Sequence, residues 1–228
     1  MDTPDQVAAI GTLVDPTRRS LYDFVVGQTA PVSRDQAASA LGLAKHTVSF
    51  HLDRLAEEEL LEVEFRRLSG RTGPGAGRPS KLYRRAQREF ALSLPPRRYD
   101  LVGDILAAAV TRAAAGDDLA RALVSTAHAE GVSVAEEARG VPADPALEDV
   151  ARVLATQGYQ PSVQDGTVLL SNCPFDSLAR KHTSLVCGVN QSFVQGVADG
   201  LACKGAVAAL EPSEDRCCVT VGKDAARG

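Results

Sequence analysis

The first 172 residues of this 228-residue chain contain no cysteine; all five, Cys173, Cys187, Cys203, Cys217 and Cys218, fall in the last quarter. A random scatter of five thiols would seldom do this, so the stretch from Asn172 to Val219 is expected to use them together. Also missing is any C-x2-C pair, the spacing of zinc ribbons and thioredoxin-like sites. No run approaches the roughly 18 apolar residues of a spanning helix, and the opening MDTPDQVAAIGTLVDPTRRS is neither a signal nor a transit peptide. These absences point to the cytoplasm and away from a membrane. In that reducing compartment clustered cysteines serve as metal ligands or redox thiols more often than as structural disulfides, and an odd count fits a disulfide framework poorly. With 44% apolar and 24% charged residues, the composition is that of a folded chain.

A net charge of -4 hides an asymmetry. Residues 1–98 carry 15 basic against 12 acidic side chains, and residues 99–228 carry 10 against 17. Between 66 and 98 ten basic residues face Glu89 alone, a run that is either a solvated face or an electrostatic footprint for nucleic acid.

Asp15-Pro16 reads as a helix start, with Leu13, Leu21, Phe24 and Val25 as its apolar stripe. Ser33-Arg34-Asp35-Gln36 is a capping box opening a helix to Leu41, and Gly42 closes it. A third helix, about Ala44 to Glu59, follows after a very short turn with Val48, Leu52 and Leu55 on one face; the pair forms a helix-turn-helix. The helical period then puts His46, Thr47, Phe50 and Arg54 on the opposite face, flanked by Lys45, Ser49 and Asp53. That face suits DNA: Phe50 can meet thymine methyls, and Lys45 and Arg54 suit guanine edges or phosphates. His51, beside the apolar stripe, is expected to be a buried, hydrogen-bonded histidine. Leu61–Phe65 alternates as a strand and Lys81–Arg84 reads as a second; the glycine-rich segment between them carries Arg71 and Arg78. A hairpin of this kind after a reading helix is a wing, in which Arg71, Arg78 and Lys81 can grip phosphates or enter a minor groove.

The order of capping box, KHTVSFHLDRLAEEELLE and GRPSKLY resembles the winged-helix regulators of the ArsR type over roughly residues 5 to 90. The resemblance implies a DNA-binding fold. Glu59 stands where such proteins often have a glycine, so the third helix is expected to run on or to end less sharply.

Ser93-Leu94-Pro95-Pro96 reads as a hinge. Two alanine-rich helices follow, in DLVGDILAAAVTRAAAG and DDLARALVSTAHAEGVSVAEEARG, whose apolar stripes serve as core or as a dimer contact. After VPADPA the period changes: a helix from Leu147 to Gln157, strands YQPSVQ and TVLLS joined at Asp165-Gly166, a helix from Asp176 or Thr183 to Leu201, then strands AVAAL and RCCVTV. The expected fold class is α+β, with a winged helix-turn-helix over 1–92, a helical dimerisation region over 93–141 and a small α+β sensor domain over 142–228.

The cysteine spacing C-x13-C-x15-C-x13-C-C brings ligands from separate elements, as iron-sulfur sites permit. If Cys187 and Cys203 share one unbroken helix they lie about 24 Å apart and cannot hold one cluster within a subunit. A break at Gly188, Gly196 or Gly200, a site between subunits, or a three-cysteine site would resolve this. Cys173, Cys187 and Cys217 form the surest set, with Cys203 the fourth and His182 a substitute for it. Cys217 and Cys218, adjacent on a strand, should point to opposite faces, so that one alone faces the site. This stretch resembles the SufR-type iron-sulfur repressors, whose four C-terminal cysteines match Cys173, Cys187, Cys203 and Cys217 in order. The resemblance implies an iron-sulfur cluster, 4Fe-4S ahead of 2Fe-2S, and cluster-assembly genes as targets.

The expectation is therefore a homodimeric, cytoplasmic transcriptional repressor that binds a double-stranded DNA operator and senses an iron-sulfur cluster. Zinc or thiol redox sensing, a pocket for a small apolar ligand, and five inert buried cysteines are the alternatives. An enzyme is not expected: the chain has no phosphate loop and no H-E-x-x-H, and only His128 and His182 are left to serve a cysteine nucleophile.

Overall fold

The computed structural model describes residues 3–67, 79–213 and 215–223. The chain forms two units, 1–92 and 93–228.

In the first unit, α1 (Thr3–Thr12) and α2 (Pro16–Val26) precede a short strand β1 (Val32–Ser33). Asp15 caps α2 by accepting from the Arg18 backbone N–H, with Pro16 at the first helical position. Helix α3 (Arg34–Leu41) opens on the capping box: Ser33 Oγ accepts from the Gln36 N–H at 3.2 Å, and Gln36 Oε1 accepts from the Ser33 N–H at 2.9 Å. Gly42, at φ 65°, takes the left-handed turn that ends α3 and releases the chain into α4 (Lys45–Glu57). Strands β2 (Leu61–Arg66) and β3 (Ser80–Arg85) pair antiparallel from Leu61 opposite Arg85 to Arg66 opposite Ser80, and β1 adds to β3. Leu21 and Val25 of α2, Ala37 and Ala38 of α3, Val48, Leu52 and Leu55 of α4, and Tyr83 of β3 share one core.

Helix α4 does not run on. It ends at Glu57, and Glu59 itself adopts φ 58°, the left-handed conformation that costs a residue bearing a Cβ roughly 1–2 kcal/mol. The turn is imposed because Leu60 and Leu61, both buried, must reach the core directly after the helix. Its side chain offsets part of the strain through an ion pair with Arg88. Glu59→Gly is therefore expected to stabilise the first unit by about 0.5–1 kcal/mol, since the pair is a surface one. Chemical denaturation reads this; a loss of stability would mean that the Arg88 pair outweighs the backbone strain.

In the second unit, α5 (Tyr99–Ala114), α6 (Leu119–Glu137) and α7 (Leu147–Thr156) are followed by the hairpin of β4 (Pro161–Gln164) and β5 (Thr167–Leu170), turned at Asp165-Gly166 with both residues at positive φ. Then come α8 (Asp176–Lys181), α9 (Thr183–Gly200), β6 (Ala206–Leu210) and β7 (Val219–Lys223). The sheet is antiparallel in the order β4-β5-β7-β6. Helix α9 lies against α6 and the sheet, and a single core runs from Leu101, Val102 and Ile105 of α5 through Phe193, Val194 and Val197 of α9 to Val219 and Val221 of β7.

The α6–α9 contact is backbone against backbone. A methyl group at Gly131 of α6 would lie 2.8 Å from the Val197 amide nitrogen and still closer to the Phe193 carbonyl. One at Gly196 would overlap the His128 carbonyl group, and one at Gly200 would sit 2.9 Å from Val132 Cα. Gly188, Gly196 and Gly200 thus do not break the helix, since α9 is continuous; the latter two let α6 approach. Among the described residues no helix is long and apolar enough to cross a membrane.

Candidate functional site

The first candidate surface is the exposed side of α4. Core packing of Val48, Leu52 and Leu55 turns Lys45, His46, Phe50 and Arg54 outward, with Thr47, Ser49 and Asp53 half-buried at the flanks. Phe50 is 65% exposed, with only an edge contact to the His51 ring at 5.3 Å between centroids. His51 is buried, and its Nδ1 accepts from Arg18 Nε at 3.3 Å, which holds the ring in place as a structural element. Lys45 pairs with Asp35 of α3 at 2.9 Å, and Arg54 with Glu57 and Glu58.

Lys81, read as a DNA contact, forms an ion pair with Asp53, which also accepts from the Tyr83 hydroxyl at 2.7 Å. Burial alone would raise the Asp53 pKa, but Lys81 and Tyr83 together outweigh it and hold the carboxyl below its usual value. Burial, and next the Asp53 carboxylate, drive the Tyr83 pKa upward, so its hydroxyl stays a donor. These contacts tie α4 to β3. Arg71 and Arg78 lie outside the described residues.

The second candidate site is at the thiols. Cys173 follows β5, Cys187 lies in the first turns of α9, and Cys217 and Cys218 immediately precede β7. Three chain segments thus bring four thiols together. Cys173 and Cys217 perturb one another's titration most of all, Cys218 and Cys217 both raise the Cys187 pKa, and Cys187 in turn acts on Cys173.

Two expectations need correction here. Cys203 does not join the group: α9 runs unbroken from Thr183 to Gly200, so Cys203 emerges beyond its far end, buried, with Lys223, Asp149, Asp144 and Glu148 as its charged surroundings. Cys217 and Cys218 do not point to opposite faces of a strand, because β7 begins only at Val219; the chain bends at Cys218, and both thiols reach the group. His182 is exposed at the α8–α9 junction.

Polar groups around the thiols distinguish them. Asn190, 1% exposed in the apolar stripe of α9, donates from Nδ2 to Cys217 Sγ at 3.2 Å. Its Oδ1 accepts from the hydroxyl of buried Tyr159 at 2.5 Å, which fixes the amide orientation. Hydrogen bonding by Cys173 lowers the Cys217 pKa first of all; burial opposes this, and the Val219 N–H and Asn190 reinforce it, leaving the thiol at about 7. In the same pair Cys173 keeps the proton and its pKa is raised, by that hydrogen bond and then by burial. Burial, and then Cys218, push the Cys187 thiol up to about 11. Of these thiols Cys217 is the one whose pKa is lowered, and the Asn190 amide donates to it. Asn190 and Tyr159 were missed from sequence, although a polar residue interrupting the stripe of Val186, Val189, Phe193 and Val197 was the available signal. Among the described residues no group of three or more His, Cys, Asp or Glu side chains is arranged to hold a metal ion.

A helix-turn-helix domain family model matches residues 13–64, the span from the end of α1 into β2. No curated protein and no solved structure matches the chain. The N-terminal unit therefore contains a helix-turn-helix domain, and the class it defines is that of DNA-binding transcription regulators.

Proposed function

We propose that the chain is a homodimeric transcriptional repressor of winged-helix type whose C-terminal unit holds an iron-sulfur cluster through Cys173, Cys187 and Cys217, with Cys218 in place of Cys203 as the fourth thiol. The carrying observation is the convergence of four thiols from three segments, with the Asn190 amide donating to one sulfur. An all-thiol donor set suits iron-sulfur ligation, and hydrogen bonds to the sulfurs tune such a centre. When bound, the cluster supplies a one-electron, oxidant-sensitive centre; the chain's own residues hold it, shield it and pass on its presence. A two-fold symmetric dimer would present two α4 helices to successive half-sites, and the β2–β3 hairpins would act as wings.

The test is purification of the full chain without oxygen, with iron, sulfide and zinc counted per chain and DNA affinity measured in loaded and stripped forms. The duplex is one the full chain selects from a randomised pool. Matched iron and sulfide, with a change in affinity on stripping, is the expected result. Colourless protein that takes up no iron and sulfide on reconstitution would overturn it.

The closeness of Cys173 and Cys217, whose thiols perturb one another most of all, favours a second reading, a disulfide switch. The Cys217 thiolate would attack a peroxide oxygen, releasing water or hydroxide, and Cys173 would displace a second water from the sulfenic acid to close the S–S bond. Mass spectrometry of peroxide-treated, metal-free protein separates this reading from the first.

On the DNA side, Phe50→Ala is expected to alter preference among duplexes by about 1–3 kcal/mol at one base position, read by selection with the variant. A uniform loss on all duplexes would assign Phe50 to packing against His51.

A further inference from the structure

The segment read as a hinge is held in place. It leaves the N-terminal unit at Leu92, and within six residues it is fastened to the loop carrying the first thiol. Arg97 Nη1 donates to Asn172 Oδ1 at 2.5 Å and to the Cys173 carbonyl at 2.8 Å, and its other terminal nitrogen faces Asp176 at 3.6 Å. Asn172, buried, answers by donating from Nδ2 to the Pro96 carbonyl at 3.0 Å and the Gly158 carbonyl at 2.6 Å. The Arg98 N–H donates to the Pro174 carbonyl at 3.1 Å, and Ser93 Oγ accepts from the Arg97 N–H at 2.8 Å. The connecting segment and the Asn172-Cys173-Pro174 loop thus share four hydrogen bonds.

From this we infer that Arg97 is the positioning residue through which the state of Cys173 reaches the N-terminal unit. The Cys173 carbonyl accepts both from Arg97 and from the Asp176 N–H at 3.1 Å, which uses both of its lone pairs. Pro174 restricts Cys173 to extended conformations, so a displacement of its sulfur cannot be absorbed by free rotation of the backbone. A new bond at Cys173 Sγ therefore moves the carbonyl that Arg97 grips. Arginine suits this role, because its rigid fork reaches two acceptors and a carboxylate at once where lysine has a single flexible point. The inference rests on the proposal that the thiols control DNA binding, and it identifies the path by which they do so.

Two measurements on the full chain test it. The first compares affinities for the selected duplex between protein loaded with ferrous iron and sulfide and reduced, metal-free protein. Effector coupling is typically about 5- to 150-fold; in Arg97→Ala the ratio is expected to fall to within about twofold of one while iron and sulfide per chain stay at the wild-type level. Arg97→Lys, which keeps the charge without the fork, retains part of the ratio. An unchanged ratio in Arg97→Ala, or in Arg97→Lys should the alanine variant fail to fold, overturns the inference and leaves the cluster proposal intact. A wild-type ratio of one sinks the regulatory proposal instead. The second measurement needs no variant: amide hydrogen exchange over 94–99 in wild-type protein should differ severalfold between the two states, and equal exchange overturns the inference independently of DNA.

Discussion

Gly131→Ala and Gly196→Ala are each expected to destabilise the C-terminal unit by about 3 kcal/mol or more, the upper range for overpacking, and to lower its melting temperature by roughly 10 °C. At both positions the added methyl meets backbone of the opposing helix rather than the end of a flexible side chain. Relief requires α6 and α9 to separate, which opens gaps around Phe193, Val197 and Ala127, all fully buried. Gly103 on α5 is the control: nothing lies within 4 Å of a methyl there, so Gly103→Ala should be neutral or stabilise by up to about 1 kcal/mol through helix propensity. Thermal denaturation followed by circular dichroism distinguishes the three. Equal melting temperatures for Gly103→Ala and Gly131→Ala would refute the backbone contact. On the proposed reading the contact would also couple α6 to the thiol group, because α9 carries Cys187 and Asn190.

Local signals fixed most elements. The Ser33-Gln36 box, Gly42 and the Asp165-Gly166 hairpin each bind their own backbone within a few residues, so short-range chemistry alone determines them. The α4 stripe was legible for the same reason, because side-chain period fixes which face is buried once the core side is known. What escaped was decided at long range. Glycines in α9 read equally as breaks or as close-contact sites, and only the presence of α6 settles which. The strand read from Arg216 through Cys217 and Cys218 starts three residues late, since β7 must pair with both β5 and β6 while the Cys217 N–H is already given to the Leu170 carbonyl. Arg97 lies in a segment whose two prolines look like a hinge, and its partners are more than seventy residues away in the chain.

The largest functional effects are expected from the cysteines, and they should not be equal. On the proposed reading, Cys173→Ser, Cys187→Ser and Cys217→Ser each abolish iron and sulfide retention, because each removes a thiolate from a group with few donors to spare. Cys218→Ser should weaken retention, since Cys218 lies close enough to Cys187 to raise its pKa and is the remaining candidate to complete the set. Cys203→Ser should leave iron and sulfide unchanged, at a stability cost of about 1 kcal/mol for placing a hydroxyl at a buried site. That contrast is sharp because spacing alone would rank Cys203 above Cys218, whereas the fold ranks them the other way. Iron and sulfide counts on the five anaerobically prepared variants decide it. Loss in Cys203→Ser together with full retention in Cys218→Ser would mean that the cluster draws on Cys203 from a second subunit, and the single-subunit thiol group would be wrong. Asn190→Leu completes the argument. It removes the donor to Cys217 while preserving volume, so a cluster that still forms should be retained but lost faster to oxygen; an unchanged loss rate would show that the hydrogen bond serves only the packing of α9.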